Sequence, residues 1–405
     1  MASPTDTNGI MHTEILKVDA SSIHFEQPGA ASSRLTISDP ATEASLKRAV
    51  EILQTTSQTV AFPTETVYGL GASALDDDAS RAIYTAKRRP ADNPLIVHVS
   101  GLDQLQRVLH TELPAIYAPL VAHFWPGPLT VVLPAPHDPV TGASIVSPVC
   151  THGQETVAVR MPAHPVARAL IALSDLPLAA PSANASTRPS PTTAQHVYAD
   201  LHGRLPLIID GGACEVGVES TVVDGTVSPP RLLRPGGISL EQIRAVGGPA
   251  WANVVVGKAT AGKDEIVRTP GMKYKHYSPK APVVLFNGCG NGVSAVTKYL
   301  KSHSPSSTGD NNNDNTKKPK IALLPTREFD TPAIEAVIND DGFSALTKPL
   351  GKSGAEISHN LFSALREMDE DQGCDMILVE GIDEANEGLA VMNRLTKAAS
   401  TVITC

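Results

Sequence analysis

Between Asp39 and Val246, short apolar segments alternate with stretches of helical periodicity, and this alternation constrains the fold more than any other feature of the chain. The segments Thr59–Phe62, Leu95–Val99, Leu129–Leu133, Val157–Arg160, Leu178–Ala180, Leu207–Asp210 and Thr221–Asp224 are too short for helices and read as buried strands. Helices are expected at Ala79–Lys87, Pro165–Ala172 and Thr193–Asp200. Upstream, Asp39-Pro40 supplies a cap and a first helical residue. Behind it Leu46, Ala49, Val50 and Leu53 fall on one face. The pattern predicts an α/β domain over residues 36–246, with the polar residues 1–35 as an arm or lead-in strand.

From Gly247 to Pro282 the periodicity stops, and the run Lys273-Tyr274-Lys275-His276-Tyr277-Ser278-Pro279 reads as part of an interdomain linker. A smaller α/β unit is expected over 283–405. Its strands fall at Val283–Phe286, Ile321–Leu324 and Met376–Glu380, and its helices at Gly292–Lys301, Ala355–Arg366 and Leu389–Ala399. Residues 302–318, with Asn311-Asn312-Asn313, have the composition of a disordered insertion.

Composition narrows the partners. A formal charge of -9 disfavours a long phosphate-backbone footprint, and with 4% aromatics base stacking is a poor route to recognition. The five cysteines are scattered, odd in number and free of any C-x-x-C pair, so neither a zinc site nor a disulfide framework is expected and a reducing compartment fits. No apolar run is long enough to span a bilayer. The N-terminus lacks a secretory core, so the expected compartment is the cytosol. Met11 offers an alternative start, and through it a minor mitochondrial pool stays open.

Five motifs carry chemical content. Pro63-Thr64-Glu65-Thr66-Val67-Tyr68-Gly69-Leu70-Gly71 follows a strand and suits either a hydroxyl-lined pocket or a plain turn. Its glycines allow positive φ or close backbone approach. Lys87-Arg88-Arg89 is either a charged helix end or a cationic grip on a polyphosphate. Asn93 beyond it is a turn residue or a ligand contact, and His98 lies inside an apolar strand, where core histidines are common. Arg160 ends a buried-looking strand and needs a carboxylate, from the protein or from a ligand. Ser182-Ala183-Asn184, with Ser190 beyond, can wrap a phosphate or ribose, or be a featureless loop. Glu219-Ser220-Thr221-Val222-Val223 and Arg234 stand equally open. Gly351-Lys352-Ser353 imitates the end of a phosphate-binding loop, but Leu346 stands where that motif needs glycine.

In their order and wording, Pro63–Leu70, Lys87-x-Arg89, Ser182-x-Asn184 and Glu219–Val223 closely resemble the YrdC-like family, whose signature is K-x-R with S-x-N. The resemblance runs from about Asp39 to Val246. Together with Lys273–Pro279 and the C-terminal unit, it resembles the long form of the family. It implies a YrdC-like twisted-sheet catalytic domain, joined by a linker over 247–282 to a smaller Rossmann-like α/β domain. It also implies a reaction in which L-threonine, bicarbonate and ATP give threonylcarbamoyl-AMP and pyrophosphate. The product would pass to separate tRNA-modifying proteins, with direct tRNA binding weak and Mg2+ carried by the ATP.

Carried over by residue, the threonine pocket would comprise Thr66, His98, Arg160, the Ala180 backbone and Ser220. ATP would meet Lys87, Arg89, Asn93, Thr156, Ser182, Ser190, Arg234 and, from the linker, Tyr277. Lys87, Arg89, Ser182 and Asn184 would flank the phosphates, and the segment around Tyr277 would serve as a lid. Two other functions share this fold, double-stranded RNA or tRNA binding and carbamoyl transfer. The acidic balance argues against the first. The lack of zinc-binding cysteine clusters argues against the second.

Overall fold

The apolar segments of the first half pair side by side into one sheet. The structure, a computed structural model, describes residues 11–26, 34–88, 93–257, 276–303 and 318–405. The chain divides into two units, Met1–Tyr274 and Lys275–Cys405. Arg89, most of the 302–318 insertion and residues 258–275 of the linker lie outside the described residues.

In chain order the strands of the first unit are β1 (Glu14–Lys17), β2 (Ile23–Phe25), β3 (Leu35–Ile37), β4 (Val60–Phe62), β5 (Gly69–Ser73), β6 (Ile96–His98), β7 (Leu129–Pro134), β8 (Thr156–Arg160), β9 (Leu178–Ala179), β10 (Leu207–Asp210), β11 (Thr221–Asp224), β12 (Arg231–Arg234) and β13 (Val255–Val256). Among the described residues, eleven form a mixed sheet in the order β1-β10-β4-β5-β9-β6-β8-β7-β11-β12-β13, while β2 and β3 form a small hairpin. β1 pairs in parallel with β10, which extends the sheet ahead of residue 36.

Helix Pro40–Thr55 starts where the cap signal places it, with Asp39 accepting from the backbone N–H groups of Ala41 and Thr42. It packs with helix Pro165–Ser174 against one side of the sheet, enclosing Leu46, Leu53, Phe62, Leu170 and Ile209. One expectation about glycine is decided. Gly69 and Gly71 lie in strand β5, and neither has positive φ. A Cβ on Gly71 would collide with the Phe62 ring, so the residue is there for close approach of β5 to β4.

The second unit is a parallel sheet of β14 (Val283–Asn287), β15 (Lys320–Leu324), β16 (Ser344–Thr347), β17 (Met376–Glu380) and β18 (Thr401–Thr404), in the order β16-β15-β17-β14-β18. Helices Val293–His303, Gly354–Arg366 and Gly388–Ala398 fall where periodicity predicts them, and Thr331–Asp340 is an additional one. Ser353, from the discarded phosphate-loop lookalike, is the N-cap of a capping box with Glu356.

The cysteine expectation needs correction, because Cys289 and Cys405 form a disulfide across 116 positions. Parallel pairing of β14 with β18 sets Asn287 beside Thr404 and so brings the two cysteines together, a juxtaposition that spacing alone could not reveal. The argument from cysteines for a reducing compartment therefore lapses. Among the described residues, no helix is long and apolar enough to cross a membrane.

Candidate active site

Strand register assembles the site. β6 and β8 run parallel with His98 beside Arg160, and β7 runs antiparallel to β8 with Thr130 beside Arg160. Paired residues share a face of the sheet, and that face alternates along each strand. Arg160, Ala158 and Thr156 therefore point the same way, as do Ile96 and His98. Between the polar ends, Ile96, Val132, Ala158, Val222 and Leu233 form a buried apolar floor. Thr156 and Arg160 stand at opposite ends of one strand, about 13 Å apart at the usual rise per residue.

At the Arg160 end every side chain is buried. The guanidinium donates from Nε to the Gly127 carbonyl at 3.2 Å, from Nη1 to Thr66 Oγ1 at 2.9 Å, and from Nη2 to Glu65 Oε1 at 2.6 Å. Thr66 is braced in turn by Thr64, with 2.7 Å between their hydroxyl oxygens. Three of the five guanidinium donors are thus engaged, leaving one N–H on each terminal nitrogen for a ligand. His98 is held neutral, its pKa pushed down to about 3 by burial and then by the nearby Arg160 and Arg234 charges. Its Nδ1 lies 3.2 Å from the Ile96 carbonyl, and the Leu178 carbonyl also faces the ring. Ser220 closes this group. Its hydroxyl meets Thr130 Oγ1 at 2.7 Å and Arg234 Nη2 at 3.0 Å, and Arg234 also donates from Nε and Nη2 to the Ser220 carbonyl.

The Ser182–Asn184 loop is stitched to β5 and to Tyr68 just before it, downstream of the turn that carries Thr66. Leu70 N–H donates to the Pro181 carbonyl at 2.8 Å, and Ala183 N–H donates to the Tyr68 carbonyl at 2.8 Å. Lys87, the last residue of helix Asp77–Lys87, turns its ammonium into this loop. It donates to the Ser182 carbonyl, to the Asn184 carbonyl at 2.6 Å and to Asn184 Oδ1 at 3.3 Å. These contacts tie the ammonium to both ends of the loop. The buried Lys87 charge is thus set against the Ser182–Asn184 loop, the other half of the expected phosphate grip. Ser182 Oγ donates to Asn184 Oδ1 at 2.6 Å, and Ser190 Oγ donates to Glu219 Oε1 at 2.6 Å.

Thr66, His98, Arg160 and Ser220, predicted as one pocket, do converge through direct bonds or strand pairing. Ala180 N–H donates to the Ile96 carbonyl at 3.0 Å, which places it on β6 beside them. Asn93, whose carbonyl accepts from Tyr84, precedes β6 and lies toward the Thr156 end. Tyr277 belongs to the second unit, where its ring packs on Phe362 with centroids 5.1 Å apart. Three residues escaped the sequence assignment. Glu65 and Glu219 stand within quoted motifs, adjacent to Thr66 and Ser220, and adjacency was the available signal. Thr130 sits in a uniform apolar strand that offers none.

The family model described as telomere recombination matches residues 53–236, and the one described as threonylcarbamoyl-AMP synthase, C-terminal domain, matches residues 238–400. A Schizosaccharomyces pombe protein named threonylcarbamoyl-AMP synthase is 48% identical across 97% of this chain and 98% of its own length. The chain belongs to the threonylcarbamoyl-AMP synthase family. A Pyrococcus abyssi member of the family is 46% identical over 84% of this chain and 90% of its own. The crystal structure of P. abyssi Sua5 complexed with L-threonine matches with a TM-score of 0.76 at 40% identity, covering 97% of this chain and 99% of that one. The mixed α/β architecture of both units is thus that of the family's long form.

Proposed function

We propose that the chain is an L-threonylcarbamoyladenylate synthase, a nucleotidyltransferase that condenses L-threonine, bicarbonate or CO2 and ATP, releasing pyrophosphate. The observation that carries this is Arg160, a buried guanidinium with an N–H spare on each terminal nitrogen, set beside Thr66 and a neutral His98. The complex of the P. abyssi relative with L-threonine supports the choice of amino acid.

The threonine carboxylate takes the spare donors of Arg160. Neutral His98 orients the threonine hydroxyl or amine, and Ser220 and the Ala180 backbone complete the pocket. The threonine ammonium first gives up a proton to solvent; the free amine then adds to CO2 and releases a second proton to give a carbamate, whose oxygen displaces pyrophosphate from the α-phosphorus of ATP. Positioning and fixed positive charge suffice for such a step, and no covalent enzyme intermediate is involved. Arg89, Asn93, Thr156, Ser182, Ser190 and Arg234 are assigned to the nucleotide, with Tyr277 added on resemblance alone. The two buried carboxylates, Glu65 and Glu219, are committed to Arg160 and Ser190, so this donor set does not fit a resident metal. Mg2+ enters instead as part of the nucleotide substrate. The product passes to tRNA-modifying proteins.

Pyrophosphate release from ATP tests this. It should require L-threonine and bicarbonate together, and release that ignores threonine would refute the assignment.

A further inference from the structure

Glu65 has no part in the scheme above, yet its carboxylate is buried against the guanidinium on which that scheme turns. Oε1 accepts from Arg160 Nη2 at 2.6 Å, and both side chains are almost wholly removed from solvent. Oε2 is also buried and has no hydrogen-bond partner. Buried carboxylates that serve only packing have both oxygens satisfied, and exceptions call for a functional reason.

The pair does two things for Arg160. The other acceptors, Gly127 O and Thr66 Oγ1, are neutral and leave its charge uncompensated in a dry pocket. Glu65 supplies the compensation and, with Thr66 next to it in sequence, fixes the plane of the guanidinium from two adjacent positions. It also sets the charge balance a ligand meets. Arg160 and Glu65 together are neutral, so a ligand carboxylate alone would leave the group negative. An α-amino acid zwitterion, bringing its own ammonium, would not.

We infer that Glu65 is the positioning residue of the amino-acid subsite, orienting Arg160 and tuning it for a zwitterionic amino acid. This rests on the proposal that Arg160 holds the threonine carboxylate. Glu65→Gln keeps the shape and one accepting oxygen while removing the charge. It should raise the KM for L-threonine roughly 10- to 100-fold, the loss expected for a charge-assisted bond, with the KM for ATP within about twofold. A merely structural role would move both together. Should the Gln variant fail to fold, Glu65→Asp keeps the charge, withdraws it by one methylene and should raise the threonine KM alone.

An unchanged threonine KM in the folded variant, or parallel loss of threonine and ATP, overturns the inference. Arg160→Ala separates the two layers. If it leaves threonine binding intact, the Arg160 proposal fails and takes this inference with it. If it weakens threonine binding while the Glu65 variants do not, only the positioning role fails.

Discussion

Arg160 divides its guanidinium among Gly127, Thr66 and Glu65 and keeps two donors in reserve, so its removal should be felt mainly by one substrate. Arg160→Ala is expected to raise the KM for threonine by roughly 10- to 100-fold or more, leaving the KM for ATP within a few fold, measured by initial rates with each substrate varied. The sequence leaves an internal and a ligand carboxylate as alternatives for this arginine. The structure supplies the internal one and still leaves donors for the other, a combination that no strand pattern encodes. Buried His98 and half-buried His164 carry a prediction about pH. Burial holds His98 at about 3 and His164 at about 4, whereas in the unfolded chain both titrate near the ordinary value of 6.5. Between about pH 6.5 and pH 4 the unfolded state therefore binds protons that the native state does not, and stability falls as the pH is lowered through that window. Above pH 6.5 both are neutral in either state and contribute no slope. Thermal melts from pH 7.5 to 4.5 should show the fall, and His98→Gln should flatten part of it. A melting temperature that stays level across the range would contradict the burial of these rings.

At the scale of elements, the end of helix Asp77–Lys87 and the Ser182–Asn184 loop behave as one part, because the lysine of the first donates to the Ser182 and Asn184 oxygens of the second. Lys87→Met, which keeps the stem and removes the ammonium, should lower kcat and weaken ATP binding by loosening the loop. Limited proteolysis should then cut near Ala185–Arg188 faster than in the parent protein. Equal cleavage rates with lost activity would instead point to direct phosphate contact. Strands with continuous apolar runs, such as Leu207–Asp210 and Thr221–Asp224, are legible in the sequence because both faces are buried. Ser344–Thr347 and Thr401–Thr404 are edge strands, partly exposed and mixed in character, and leave no such run. Strand Gly69–Ser73 is hidden for a different reason. Its Gly71 is demanded by the Phe62 ring beneath it, and glycine ordinarily signals a turn.

At the scale of the whole molecule, every residue proposed for threonine and ATP except Tyr277 belongs to the first unit. The parallel sheet of the second unit has a cavity of about 260 Å3 at its carboxyl edge, lined in part by Gly288, Arg327, Glu380 and Asp383. Folds of this kind bind phosphates there on backbone N–H groups. Here those of Thr326, Arg327 and Glu328 are taken by the Glu380 carboxylate, at 2.6, 3.0 and 2.6 Å. Calorimetric titration with a non-hydrolysable ATP analogue should accordingly give one site per chain, and Ser182→Ala should weaken it. A second site of similar affinity would contradict this placement. The order of the units and their α/β class follow from the alternation of apolar and amphipathic segments. The Glu380 plug and the Cys289–Cys405 link arise from contacts between distant strand ends and are invisible to it. The central chemical claim is that a carbamate oxygen attacks the α-phosphorus of ATP. Turnover with freshly dissolved 18O-labelled bicarbonate, followed by mass spectrometry, examines it directly. Label in threonylcarbamoyl-AMP, with unlabelled pyrophosphate, is the predicted result; ADP with labelled inorganic phosphate would contradict it.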